Sequence, residues 1–429
     1  MKKMPRAGAA VDGRNSMRIL HIADLHLGKT VHGVSMLENG DQPHWVSAFL
    51  EHAERWKPDA IVIAGDVYDR SAPSGEAVSL LSRMLTRLSE LEIPVMLIAG
   101  NHDSAQRLAF AGPILAQKGV HISRPLFESP ELKHVTLRDD HGPVTFWLLP
   151  YVFPSLIAET LQDDSLRDYD TAVRALLQRQ PVDFSERNVL VAHQNVVAAG
   201  CAGERGGSET MVGGLGQIDV SCFDGFDYVA LGHIHAAYPV GRESVRYAGS
   251  PMCYHFNETR QAKKGPVLVE LGAKGQAPSI EVLEIPPLHP MRELRGAFED
   301  LLRQESAQMR RGEYLRLVLT DRRLSPEAIA PFEALCRERG SVLMERSSEY
   351  ESFGAAAAAS IDAVEQKSIQ ALFCDFYTEC TAGDPPAEAD AALLDFAETL
   401  AQHADVHAAP DAAEIEKLVD YLIRQEGSV

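Results

Sequence analysis

The chain has 429 residues, 45% of them hydrophobic, which is enough for two or three domains with buried cores. No run approaches the roughly 18 to 20 consecutive apolar residues of a membrane-crossing helix, and six cysteines without a CxxC pair or zinc-like spacing fit reduced thiols in a cytosolic protein. The formal charge of −20 argues at first against a polyanionic partner, yet residues 351–429 alone carry 16 acidic and 3 basic side chains, a net of −13 that leaves −7 for the first 350 residues. Part of that remainder is carboxylate that a metal site would neutralise, so global charge does not decide the substrate.

Residues 1–16 are basic at the start but lack an apolar secretory core, and are expected to be a disordered extension ahead of Met17. From residue 17 to about 285, strand-like runs alternate with helical ones, which predicts an α/β domain. Short apolar, β-branched-rich runs at 18–22, 60–64, 95–98, 188–192 and 227–231 have strand length and the continuous hydrophobicity of strands buried on both faces. Trp45, Phe49, His52, Ala53 and Trp56 fall at helical spacing, as do Val78, Leu81, Leu85 and Leu88. The Gly-rich stretch 198–216 reads as a loop, either shaping access to a site or simply connecting elements.

Clustered prolines at Pro286, Pro287 and Pro290 mark a domain junction. A small α+β unit is expected over 290–350, with a strand at 314–320, a helix at 326–339 and a short strand at 342–344. Between 291 and 350 every basic residue is arginine, matched by an equal number of acids; most of these are expected to form surface ion pairs. After an alanine run at 355–359, Ile369, Leu372, Phe373, Phe376 and Tyr377 form one apolar helical stripe, and Ile415, Leu418, Val419, Leu422 and Ile423 form another. These stripes either pack on each other or dock a partner.

Each of the five apolar runs ends in a polar block: Asp24-Leu25-His26, Gly65-Asp66, Gly100-Asn101-His102-Asp103, His193, and Gly232-His233-Ile234-His235. Singly these blocks carry almost no information. Together, each beyond the carboxyl end of a strand, they supply the carboxylate, amide and imidazole set that holds two neighbouring divalent cations. Asp24 and His26, two apart, can face one ion. His233 and His235 have the same spacing, which aims both rings to one side. Asp66 is the natural bridge, Asn101 adds a neutral oxygen, and His193 completes the second ion. The absence of cysteine ligands favours manganese over iron or zinc. Such ions lower the pKa of a bridging water for in-line attack on a phosphodiester. His102, beside Asn101 but aimed differently, is placed to protonate the leaving oxygen or hold the phosphate. Asp103 has two readings: it orients His102, or it caps the following helix. The other histidines, His21 among them, are assigned structural roles.

The order DLH, GD, GNHD, H and GHIH resembles the calcineurin-like metallophosphoesterases. Asp24-Leu25-His26-Leu27-Gly28, Gly65-Asp66-Val67-Tyr68-Asp69-Arg70-Ser71 and the Asp103 after GNH depart from the DxHG, GDxVDRG and GNHE of its protein phosphatases. Segments 19–29, 149–151, 226–235 and 247–251 (YAGSP), with Phe256, Glu258, Lys264 and Gly265, resemble instead the SbcD nuclease subunits of bacterial SbcCD complexes. The resemblance is dense over 17–271. It implies a fold of packed β-sheets flanked by helices over 17–285, with a DNA-holding capping domain at 290–350 and a helical tail at 355–429 that grips an SbcC-like coiled-coil ATPase. It places Asp24, His26, Asp66 and His235 on one metal and Asp66, Asn101, His193 and His233 on the other, with His102 as the non-ligand catalytic histidine. Where archaeal and eukaryotic relatives often have a second active-site histidine, this chain has Asp69. The implied activity is a manganese-dependent, ATP-gated 3′ to 5′ exonuclease on duplex ends and an endonuclease on single strands and hairpins, working on DNA in a dimer. A phosphodiesterase for small nucleotides on the same core is the second hypothesis, and a non-catalytic scaffold the third.

Overall fold

The computed structural model describes residues 16–198, 216–260, 263–321 and 325–349. The expected N-terminal extension (to residue 15), most of the Gly-rich loop, and the tail at 355–429 lie outside the described residues.

Two six-stranded sheets form the centre. In the first, strands Met17–Ile22, Ala60–Ala64, Val95–Ile98 and Val120–Ile122 run parallel, Val267–Leu271 pairs antiparallel with Met17–Ile22, and Ser279–Val282 pairs antiparallel with Val267–Leu271 at the edge. In the second, Gly142–Leu149, Arg187–His193, Tyr228–Gly232 and Arg242–Tyr247 run parallel, and Lys133–Asp139 and Pro239–Val240 close its edges as antiparallel neighbours. The continuous apolar runs are resolved into faces by the two-residue period of a strand. Ile19, Val62, Met96 and Ile98 point inward against Phe146, Leu148, Val189, Val191 and Ala230, forming a fully buried layer between the sheets.

The alternate residues face outward. Leu20, Ile22, Ile61, Ile63 and Leu97 pack on helices Asp41–Trp56 and Gly75–Glu90 through Trp45, Phe49, Ala53, Leu81 and Leu88. Leu149, Leu190, Ala192, Val229 and Leu231 pack on helices Pro154–Leu161 and Tyr169–Gln178. The result is a helix–sheet–sheet–helix sandwich, and the ends of five central strands deliver their following loops to a common rim.

Beyond Pro290, strands Met291–Gly296, Tyr314–Leu319 and Val342–Ser348 form a parallel three-stranded sheet. Helices Phe298–Gln308 and Pro326–Glu338 cover it around Leu294, Phe298, Leu317, Ile329 and Phe332. The expected strand, helix and strand are present here, the last strand running on to Ser348; the first strand and the first helix are additions to that expectation. Several of the arginines are ion-paired among the described residues: Arg292 with Glu305 and Glu313, Arg303 with Asp300, Arg316 with Glu293 and Glu345, Arg346 with Glu333. Tyr314 joins this unit to the sandwich, its hydroxyl donating to buried Asp41 at 2.6 Å.

Candidate metal centre

The turns that carry the polar blocks are held in unusual backbone conformations. Asp24, His26, Asp66 and His233 all have positive φ, at 54°, 42°, 47° and 101°. Such left-handed residues cost of order 1 kcal/mol or more unless their surroundings fix them. Here the fixing is visible. Asp24 N–H donates to Gly65 O and His26 N–H to Asp66 O, lacing the first two turns together. The buried Gln42 amide donates to Leu25 O and His26 O and accepts from Gly28 N–H, and Tyr254 Oη donates to Leu25 O at 2.6 Å. Glycine is obligatory where turns touch: a Cβ on Gly100 would lie 2.3 Å from Asp66 N, and one on Gly232 only 1.9 Å from Ala64 O.

All seven expected ligands come together. Asn101 Oδ1 lies 3.0 Å from His193 Nε2 and 3.1 Å from His233 Nδ1, while Asp66 Oδ2 stands 3.3 Å from the same His193 nitrogen. On the other side His26 Nε2 is 3.2 Å from His235 Nε2 and 3.5 Å from Asp66 Oδ2. One ligand atom from each of Asp24, His26 and His235 falls within 4.8 Å of the others. The single oxygen Asp66 Oδ2 is thus shared by two groups, which is the arrangement of a bridging carboxylate. The equal spacing of His233 and His235 suggests that both rings aim to one side, but the structure sends His233 to the Asn101 group and His235 to the His26 group. The positive φ of His233 turns the chain between them.

The chemistry of these atoms fits cations. Asp24 Oδ1 accepts from His233 N–H at 2.9 Å, but Asp24 Oδ2 is buried with no hydrogen-bond partner among the described residues. An orphaned carboxylate oxygen among imidazole nitrogens is costly without a positive charge beside it. Burial pushes the Asp24 carboxyl up, partly offset by His193. Burial also lowers His26, to about 4, and His233, to about 3, so both rings are neutral at neutral pH. For His193, burial is overridden by the Asp66 and Asp24 carboxylates, which raise it to about 10. Its Nδ1–H donates to Ala64 O at 2.7 Å, which directs Nε2 into the centre.

His102 stands on the exposed side. Its main-chain N–H donates to Asp66 Oδ1 at 2.9 Å, and its Nδ1 donates to Asp69 O at 3.0 Å, leaving Nε2 as the nitrogen free for proton transfer. Asp103 does neither of the things expected of it. Its oxygens accept from the backbone N–H groups of Val67, Tyr68 and Gly100, and the next helix is capped by Ser104. It ties the Asp66 turn to the Asn101 turn, because a carboxylate among three converging backbone donors is better satisfied there than at an imidazole. Asp69, for its part, pairs with Lys29 at 2.8 Å and lies 3.6 Å from His26 Nδ1, behind the ligand. Gln42, Tyr254 and Glu258, which brace the ligand turns, have no role that the sequence reveals; they lie 16 to 229 residues from the groups they hold.

Comparison with known proteins agrees with this geometry. The model of the calcineurin-like phosphoesterase family matches residues 17–237, and that of the type 5 capsule protein repressor C-terminal domain, SbcD_C, matches 287–381. The SbcD subunit of the SbcCD nuclease of Staphylococcus epidermidis is 30% identical over 311 residues, covering 71% of this chain and 79% of that protein. Its counterpart in Staphylococcus saprophyticus is 31% identical over 308 residues, covering 71% and 78%. A crystal structure of TT1561 of Thermus thermophilus aligns over 62% of this chain and 99% of its own at 11% identity and a TM-score of 0.34, too slight a likeness to bear on fold or activity. The sandwich of two mixed sheets, the ligand blocks on its rim and the two family matches lead to one conclusion: the chain belongs to the calcineurin-like phosphoesterases, metal-dependent hydrolases of phosphate esters, and within them to the SbcD group.

Proposed function

We propose that this chain is a DNA nuclease subunit that hydrolyses phosphodiesters with two divalent cations, of which Mn²⁺ suits the oxygen and imidazole donors best. The observation that carries the proposal is Asp66 Oδ2, shared between the His26 side and the His193 side. Asp24, His26, Asp66 and His235 would hold one ion, and Asp66, Asn101, His193 and His233 the other. The cations would supply a nucleophile from water and stabilise charge on the phosphoryl oxygens. His102, anchored through Nδ1 to Asp69 O, presents Nε2 to protonate the leaving oxygen.

Kinship with nuclease subunits supports DNA as the substrate, and so does the α+β unit beyond Pro290, which a small-phosphoester enzyme has no need of. In this reading residues 290–350 cap and hold DNA. Residues 355–429 dock an SbcC-like coiled-coil ATPase, which gates exonuclease cleavage of duplex ends from 3′ to 5′ and endonuclease cleavage of hairpins. Two copies pair through the nuclease domain, in the cytoplasm, in the service of DNA repair, recombination and replication.

The test compares duplex DNA with a chromogenic phosphodiester in Mn²⁺. Wild type should degrade DNA, Asp66→Ala should lose both metal and activity by on the order of 10²-fold or more, and His102→Gln should lose activity while retaining metal. Full DNA cleavage by Asp66→Ala overturns the site, and turnover of the chromogenic ester without any of DNA overturns the substrate.

A further inference from the structure

The segment containing Glu258 and Lys264 has no part in the ligand set, yet it converges on one ligand. Glu258 is completely buried, and its Oε1 lies 3.2 Å from His235 Nδ1. Its other oxygen, Oε2, accepts from Lys264 Nζ at 2.8 Å and from Tyr254 N–H at 3.2 Å. Lys264 uses its remaining protons on Ser250 Oγ, at 2.7 Å, and on the main-chain carbonyl of His235, at 2.9 Å. Ser250 N–H donates to the same carbonyl at 3.0 Å. His235 is therefore held at both ends, its ring by Glu258 and its backbone by Lys264 and Ser250.

We propose that Glu258 and Lys264 are positioning residues that fix His235 as a metal ligand, setting the affinity of the ion bound on the His26 side. The inference rests on the metal-centre reading above. A carboxylate can only accept, so Glu258 places the ring proton on Nδ1 and leaves the Nε2 lone pair facing His26 Nε2, 3.2 Å away. Lys264 Nζ, 2.8 Å from Oε2, sets a positive charge against the buried carboxylate and fixes which oxygen faces His235. No amide can replace it. A glutamine would set its NH₂ either against Lys264 Nζ and Tyr254 N–H, or against His235 Nδ1, where it would drive the ring proton onto the metal-facing nitrogen. His193 achieves the same tautomer with a backbone carbonyl, Ala64 O, so the two sides of the centre are separable.

The test is Mn²⁺ binding to the full chain, followed by calorimetry and by electron paramagnetic resonance, with the thermal midpoint in chelator as a check on folding. Wild type should bind two ions. Glu258→Gln should weaken one of them by roughly 10- to 100-fold and leave the other at wild-type affinity. Lys264→Met should weaken the same ion, and it decides the matter if Glu258→Gln does not fold. Two ions bound by wild type and equally tightly by the variants overturn the positioning role while sparing the metal centre, and so does a loss shared equally by both ions. Fewer than two ions on wild type overturns the metal-centre reading and the positioning role together.

Discussion

His193 shows how the centre couples proton and metal. Its ring is buried against two carboxylates, with Asp66 Oδ2 at 3.3 Å and Asp24 Oδ1 at 4.0 Å, and these hold a proton on it to about pH 10. A cation needs the Nε2 lone pair that this proton occupies. The sign follows directly: at pH 7 to 8 metal uptake must expel the proton, so affinity should rise with pH until the ring is neutral on its own, near pH 10. Calorimetry of Mn²⁺ binding in buffers of different ionisation enthalpy should show release of about one proton per chain from this ring. Uptake with no proton release and pH-independent affinity would show that His193 is already neutral. The same residue scale explains what is legible in the sequence. The donor types and their adjacency to strands are visible in the chain, but the partner of each lone pair is not. Asp103 looks like a helper of His102 because it is next to it, whereas two backbone donors from the Asp66 turn and one from its own turn claim it.

At the scale of elements, the second sheet is pinned by one buried charge. Arg187, at the start of Arg187–His193, is 1% exposed and forms a two-pronged pair with Asp139 at the end of Lys133–Asp139, with further bonds to Gly142 O and Gly272 O. Burial alone would raise Asp139, but the guanidinium prevails and holds it below the usual carboxylate range. A depressed carboxylate stabilises the fold above its unfolded value of about 3.9, and the contribution is lost as pH falls through the folded value. Asp139→Asn should therefore cost about 3 kcal/mol at pH 7 by stranding Arg187. The gap to wild type should narrow as pH falls below about 4, where the unfolded carboxylate takes up its proton, and should close only once pH has passed the lower folded value. Urea unfolding at pH 7 and pH 3 measures both; a gap unchanged at low pH contradicts the assignment. The elements themselves are largely legible. Strands at 60–64 and 95–98 match to the residue, because burial on both faces leaves no polar interruption. Met291–Gly296 and Phe298–Gln308 escape a reading of the sequence, since the strand is only half-buried and charged, and the helix shows few apolar positions.

At the scale of the whole molecule, exposed apolar surface bears on assembly. Phe110, in the turn between the short helices Ala105–Leu108 and Gly112–Ala116, is 81% exposed, and Ile114, in the second of them, is 66% exposed. Large apolar side chains so exposed suit an interaction surface, and the proposed pairing of two nuclease domains would cover them. Phe110→Glu combined with Ile114→Glu should convert a dimer to a monomer in light scattering, with Mn²⁺ binding unaltered. A wild-type chain that is monomeric at micromolar concentration would remove the proposal.

The sequence by itself determined the class of sheet, the rim on which function sits and the identity of the seven candidate ligands. All of these depend on local pattern: continuous apolar runs make doubly buried strands, and polar residues directly after them must stand at strand ends. The spacing of His233 and His235 left them on one side and the family resemblance parted them; only the tertiary structure decided which atoms meet, that Asp66 Oδ2 is the shared oxygen, and that Glu258 stands behind His235. Those facts depend on left-handed turns and on contacts between strands of different sheets. A hydrogen bond 23 residues away in sequence, or 209, leaves no periodic trace in the chain. The five polar blocks named the atoms available; the sandwich, by stacking two sheets so that their loops share one rim, decided which of those atoms meet.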